Sequence, residues 1–269
     1  MTRAAHPSSA GSPQRLRLLS CNILAGASVQ RYREYVTRSI NAVLPGRSKL
    51  ENLDRLAQVI SEFDVVGLQE ADAGSLRSGF LNQTRYLAET AGMPFWSHQP
   101  NRPMARLAHS ANGLISRLEP TSVLDYPLPS RIPGRGALLA RFGSADDALA
   151  VMIAHLSLSA PARARQLAFI GEILQDFSHA VLMGDLNTDA GSREMRHLFA
   201  KCSLQPPAQP TPTFPSWKPR RALDHILTST AIHMEKIWAL PQAFSDHLSL
   251  AAEITLPATL GRHANAGQR

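Results

Sequence analysis

Several apolar runs in this chain stop on a reactive polar side chain. VVGLQE ends on Glu70, LAVMIAH on His155, AVLMGDLN on Asp185 and Asn187, and AFSDH reaches Asp246 and His247. A buried strand that surfaces with a carboxylate or an imidazole delivers that group to a rim. Repeated deliveries of this kind predict one shared site. Carboxylate oxygens suit a hard cation, and a cation with imidazoles beside it suits work on a phosphoryl group.

Each residue also has a plainer reading. Glu70 is a metal ligand or an exposed strand-end carboxylate. Asp185 and Asn187 stand two apart, so in an extended segment both point into one volume. The alternative is an Asx-turn, for which Gly-Asp-x-Asn is good material. His155 ends a strand and serves as a catalyst or as a hydrogen-bonded rim residue. His247 follows Asp246, and Asp224 heads LDHIL upstream. A carboxylate that accepts from an imidazole sets its tautomer and raises its basicity. His225 neighbours Asp224 but alternates to the other face of its strand, so it ranks below His247.

The segments that must position these groups alternate between short apolar runs and amphipathic stretches. Strands are predicted at Arg15–Asn22, Asp64–Gln69, Asn112–Ser116, Gly136–Phe142, Ala148–His155, Val181–Met183, Leu223–Thr228, His233–Trp238 and Leu248–Leu256. Helices are predicted at Asn52–Phe63 with Asn52 as N-cap, near Leu81–Ala91, at Pro161–Phe177 and at Arg193–Ala200. Strands outnumber helices and many connections are hairpin length, which favours a mixed α/β sandwich over a doubly wound parallel fold. No GxGxxG or Walker A sequence is present, which argues against a nucleotide-cofactor fold.

Composition sets the remaining bounds. The 269 residues are 44% hydrophobic without a composition break, so one domain is expected over 15–257, between disordered tails at 1–14 and 258–269. The formal charge of +7 favours polyanions such as nucleic acid or anionic lipid headgroups, unless the charge is simply scattered. The two cysteines, Cys21 and Cys202, are far apart and make neither a disulfide framework nor a zinc spacing. The N-terminus lacks a signal-peptide core and no apolar stretch is long enough to span a membrane. A reduced, cytoplasmic monomer is expected.

The ordered set Asn22, Gln69-Glu70, Asn112, Arg135-Gly136, His155-Leu156, Gly184-Asp185-Leu186-Asn187, Leu223-Asp224-His225-Ile226 and Ser245-Asp246-His247 resembles the endonuclease/exonuclease/phosphatase (DNase I-like) superfamily. The match runs from about Leu16 to Leu256. Each motif alone is weak, and their joint order carries the resemblance. It implies an α/β fold of four layers, two mixed β-sheets packed face to face with helices outside. It also implies phosphoester hydrolysis with Mg²⁺ or Mn²⁺. By the same resemblance Glu70 is the main metal ligand, with Asn22 and Asp246 as helpers. Asp185 orients or deprotonates the attacking water, and Asn187 steadies the phosphoryl oxygens. His247, held by Asp224, meets the scissile phosphate, and either it or Asp185 accepts the proton of the attacking water; His155 is a second histidine and Asn112 a further polar position. Two departures stand out. Leu24 occupies a place where many relatives have a carboxylate, which weakens the case for a second metal. His109 stands where abasic endonucleases have a tyrosine, which leaves a phosphate contact to an imidazole.

Specificity is expected outside the core segments. Gln30 to Lys49 interleaves Arg31 and other basic residues with Tyr32 and Tyr35, which suits phosphates and a stacked ring, or else an ordinary solvated helix. His98 to Arg106 mixes arginine with loop formers. Trp217, Arg220 and Arg135 complete the expected substrate contacts. A small or lipid phosphoester is the favoured substrate. A DNA or RNA nuclease and a catalytically silent binding module are the alternatives.

Overall fold

Alternation inside the apolar runs builds the architecture. The structure, a computed structural model, describes residues 13–24, 47–75, 78–104, 108–131, 134–144 and 147–257. Within these, the side chains of residues 47, 100–104 and 108–110 lie outside the description.

The first sheet has six strands: β1 (Gln14–Asn22), β2 (Val65–Asp72), β3 (Phe95–Met104), β4 (Ala108–Ser116), β10 (His233–Ala243) and β11 (Leu248–Leu256). Their order is β10-β11-β1-β2-β4-β3. The second has five, in the order β5 (Ser122–Pro127), β6 (Gly136–Phe142), β7 (Leu149–His155), β8 (His179–Asp185) and β9 (Asp224–Thr228). Both are mixed, since β1 runs parallel to β2 and β7 parallel to β8. The described helices are α1 (Arg47–Ile60), α2 (Gln83–Ala91), α3 (Ala160–Leu174) and α4 (Arg193–Lys201).

Successive side chains on a strand point to opposite faces. Leu16 and Leu18 of β1, with Val151, Ile153, Val181 and Met183, fill the space between the sheets. Leu19 and Cys21 of the same strand turn outward against Leu53, Leu56 and Ile60 of α1 and Leu87 of α2. On the other side Met152, Ala154 and Leu182 meet Leu167, Ile170 and Leu174 of α3 and Met195 and Leu198 of α4. These three cores make the expected four-layer sandwich, and strands covered on both faces read as continuous apolar runs. Gly67 of β2 faces the opposite sheet: a Cβ there would lie 2.9 Å from Met183 and 3.0 Å from Ile153.

Four details depart from the sequence reading. β3 and β5 were not predicted. Both are edge strands, and β5 is half exposed along its length, so neither carries a long apolar run. The stretch His98 to Arg106 is therefore mostly strand, not loop. Asn52 is no N-cap, because α1 already begins at Arg47; its buried amide instead donates to the Phe244 carbonyl at 2.8 Å. β2 does not end at Gln69 but bulges there and continues to Asp72. Among the described residues no helix is long and apolar enough to cross a membrane.

Candidate active site

Strand register places the reactive groups side by side. His155 pairs with Asp185 across β7 and β8, and Asp185 pairs with Asp224 across β8 and β9. Gly184 makes this closeness possible. Its φ is +144°, and a Cβ there would stand 1.9 Å from the Ala154 carbonyl oxygen. Only glycine tolerates both.

The other sheet contributes from across the core. Asn22, the last residue of β1, donates through its amide to Asp185 Oδ2 at 3.2 Å. Glu70 lies in the β2 bulge with a φ of +57°, a sparsely populated conformation for a side-chain-bearing residue. The bulge re-aims the carboxylate, as bulges near functional sites commonly do. Glu70 Oε1 then lies 3.8 Å from His155 Nε2, which is 3.5 Å from Asp185 Oδ2.

The loop before β11 carries the remaining pair. His247 Nδ1 lies 2.7 Å from Asp224 Oδ2, and the Thr213 hydroxyl donates to the same oxygen at 2.5 Å. His247 Nε2 lies 3.8 Å from Asp185 Oδ2. The Ser245 hydroxyl ties this loop to β1 by donating to the Asn22 carbonyl, and accepts from the His247 backbone N–H at 3.1 Å. The Phe214 ring covers His247 at a centroid distance of 4.8 Å.

Electrostatics follow from this crowding. Burial, then the charge of Asp224, pushes Asp185 up to about 7, although His247 and the Asn187 and Asn22 hydrogen bonds oppose the rise. Burial works against a charged His247, but Asp224, Asp185 and Asp246 outweigh it and lift the ring to about 10. Burial and the Asp246 charge raise Glu70, while Arg135 and Asn22 pull it down. Asp246 is itself raised, chiefly by burial. His155 falls well below the usual histidine range through burial, then repulsion from Arg135 and His247. That shift favours the neutral ring, and its buried Nδ1 has no hydrogen-bond partner among the described residues.

Raised carboxylates packed together favour a divalent cation, and the donor set of carboxylate and amide oxygens is that of a hard ion. By distance alone, ligand atoms of Asp185, Asp224 and His247 come within 4.8 Å of one another. Asp224 is engaged by His247 and Thr213 through Oδ2, while its buried Oδ1 has no hydrogen-bond partner among the described residues. Glu70 is the more accessible carboxylate, its side chain 29% exposed.

The residues expected from sequence fall into three sets. Asn22, Glu70, Arg135, His155, Asp185, Asp224, Asp246 and His247 act on one another directly. Asn112 sits in the wall, its amide donating to the Gly136 carbonyl at 2.7 Å across the sheets. Asn187 departs from the expectation that it and Asp185 point the same way from extended backbone. Its φ is +53° and its N–H donates to Asp185 Oδ1 at 3.0 Å, which is the Asx-turn alternative. Its side-chain amide donates to the Leu156 carbonyl. Arg220 is exposed, with its backbone N–H on Phe214. Trp217 lines a neighbouring groove. Arg31, Tyr35 and the His109 side chain lie outside the described residues. His225 does turn away, its Nε2 lying 2.8 Å from the Thr188 carbonyl.

Sequence reasoning gave no role to Thr213, Ser245 or Gly184 as supports, although Gly184 and Ser245 stand in the motifs that carry the resemblance.

A family profile described as "Endonuclease/Exonuclease/phosphatase family" matches residues 19–247. None of the curated proteins matches the chain. Solved structures share its fold at low identity. An endonuclease/exonuclease/phosphatase family protein from Bacteroides thetaiotaomicron is 16% identical with a TM-score of 0.68, covering 91% of this chain and 99% of that one. A mannosyl-6-phosphatase from the same organism is 17% identical with a TM-score of 0.65, covering 89% and 99%. The human Nocturnin catalytic domain with bound sulfate is 16% identical with a TM-score of 0.66, covering 90% and 96%.

Proposed function

The chain belongs to the endonuclease/exonuclease/phosphatase family, and from that premise we propose that it hydrolyses a phosphoester by in-line attack of water, with Mg²⁺ or Mn²⁺ as cofactor. The observation that carries this reading is the meeting of Asn22 and Glu70 from one sheet with His155, Asp185 and the Asp224–His247 pair from the other. Glu70 would hold the cation, with Asn22 and Asp246 beside it. Such an ion would supply positive charge to offset the negative charge that develops on the phosphoryl group.

The chain's own groups divide the proton work. A general base is most effective with a pKa near the working pH. Asp185, lifted to about 7, meets that condition. His247, lifted to about 10, already carries its proton near neutral pH, so it stabilises phosphoryl charge and donates to the leaving group. Asp224 holds that imidazolium, and Arg135 adds positive charge beside Glu70 and Asp185.

A small or lipid phosphoester remains the favoured substrate. The net charge of +7 supports nucleic acid as the second reading. The deciding experiment is a Mg²⁺- or Mn²⁺-supplemented panel of sugar phosphates, phospholipids, inositol phosphates, plasmid DNA and RNA. Chelation with EDTA should abolish any turnover. A full panel without metal-dependent release of phosphate or cleaved ester would defeat the proposal.

A further inference from the structure

Two loops leave the second sheet at the site. One follows His155 at the end of β7 and leads into α3; the other follows Asp185 at the end of β8 and leads into α4. They meet directly at two points. The Leu156 N–H donates to the Asp185 carbonyl, and the Asn187 amide donates to the Leu156 carbonyl, both at 3.0 Å. Packing does little for the outer part of the first loop, since the Leu158 side chain is 77% exposed. Hydrogen bonds must hold it.

The two helices that follow supply those bonds. On α3, buried Gln166 accepts from the Ser157 N–H at 2.9 Å and donates to the Ser157 hydroxyl at 3.0 Å. Arg163 donates through Nη1 to the Leu158 carbonyl at 2.5 Å. Its Nε and Nη2 donate to Glu194 Oε1, in the first turn of α4, at 3.1 and 2.9 Å. The same Glu194 oxygen accepts from the Thr188 hydroxyl, in the second loop, at 3.1 Å. The Arg163 and Glu194 side chains are only 11% and 10% exposed. A pair so far removed from water is worth more than a surface ion pair, and losing one partner strands the other.

We propose that the buried Arg163–Glu194 pair is a positioning device for the reaction, which closes a ring of hydrogen bonds around the loops carrying His155 and Asp185. The ring runs from the Leu158 carbonyl through Arg163, Glu194 and Thr188 to Asn187, and back to the Leu156 carbonyl. Its last member is the Asx-turn residue whose N–H donates to Asp185 Oδ1 at 3.0 Å. The pair therefore acts through Asn187 on the aim of the Asp185 carboxylate. Small misplacements of a reacting group cost rate steeply, even when they begin away from the chemistry. The effect on turnover rests on the phosphoester reading; the effect on the loops rests on the hydrogen bonds alone.

The test has two readouts. The first is amide hydrogen exchange at Leu156 and Asn187, followed by NMR in metal-free protein. Glu194→Ala should speed exchange at both by about 10-fold. Glu194→Gln, which keeps an acceptor oxygen for Thr188 and Arg163, should restore most of the protection. The second is turnover of bis-p-nitrophenyl phosphate with Mg²⁺, per folded molecule. Glu194→Ala should lower kcat about 10-fold with KM within about 2-fold, and Glu194→Gln should recover most of the loss. Arg163→Met/Glu194→Ala strands no buried charge, so it carries the test if Glu194→Ala does not fold; its losses should not exceed those of Arg163→Met alone. Unchanged exchange or unchanged kcat in the folded variants overturns the positioning role, as do losses that multiply in the double variant. Faster exchange in a protein whose wild type hydrolyses nothing in the panel would sink the phosphoesterase reading and leave the clamp standing.

Discussion

The strand β8 begins on His179 and ends on Asp185, both buried, and its two ends behave differently. At the first end, His179 Nδ1 lies 3.0 Å from Asp147 Oδ1, and Arg141 rests over the Phe177 ring at 5.5 Å. The small cavity there, about 240 Å³, also includes Asp176. At the second end, Asp185 meets Asn22, His155, Asp224 and His247, drawn from both sheets. Residue types alone therefore do not make a site. The working end adds burial of several like charges, a strained Glu70 and convergence of separate strands, and these together move its pKa values.

The sharpest way to break this contrast is to remove the groups at the working end. Asp185→Ala and His247→Ala should each lower turnover by on the order of 10²-fold or more, with circular dichroism unchanged. Near-normal turnover in either would make the two ends equivalent. Gly184→Ala should be the most damaging structural change. Its new Cβ meets the Ala154 oxygen at 1.9 Å, and a loss of at least ~2 kcal/mol in urea unfolding is expected. Gly92→Ala is the control: its φ is +66° but no atom of the described residues outside its own turn lies within 4 Å of the added Cβ, so about 1 kcal/mol is expected.

A pH series sharpens the comparison further. Folded Asp185 keeps a proton that the unfolded chain releases near 3.8, so its contribution to stability falls between about pH 4 and about 7. His247, raised from 6.5 to about 10, stabilises the fold below 6.5 and loses that contribution as pH rises to about 10. Both signs agree. The Tm of metal-free protein should decline from pH 6.5 to 10, and Asp224→Asn should flatten much of that decline. Mg²⁺ should restore Tm most at the alkaline end, where it meets ionised carboxylates. The smallest effect belongs to the other end of β8: His179→Asn should leave turnover within about 2-fold. A 10²-fold loss there would dissolve the distinction.

Much of this arrangement was legible in the amino-acid order. Strands buried on both faces announce themselves as apolar runs, and their polar ends pointed to Glu70, His155 and Asp185. The edge strands β3 and β5 did not, because half-exposed backbone carries no such run; β3 also contains Pro100 and Pro103. Asn52 looked like a cap because it precedes an apolar stripe, yet tertiary contact with Phe244 uses it inside the helix. At Asn187 the sequence left an Asx-turn and an extended segment open, because local turn chemistry at a strand end leaves the same residue pattern, and the structure has the turn. The supports Thr213 and Ser245 act across the fold, where spacing along the chain is silent.

Gly67 carries a consequence for how activity and folding are linked. Its missing side chain lets Met183 and Ile153 of the facing sheet come close, on the strand that neighbours β1 and hence Asn22. Gly67→Ala would ask neighbouring side chains to yield, at about 1–3 kcal/mol, and would spread the two halves of the site without touching either. Such a protein would melt a few degrees lower while its hydrolysis fell by a larger factor, making enzymatic output a sensitive ruler for the thickness of the interior.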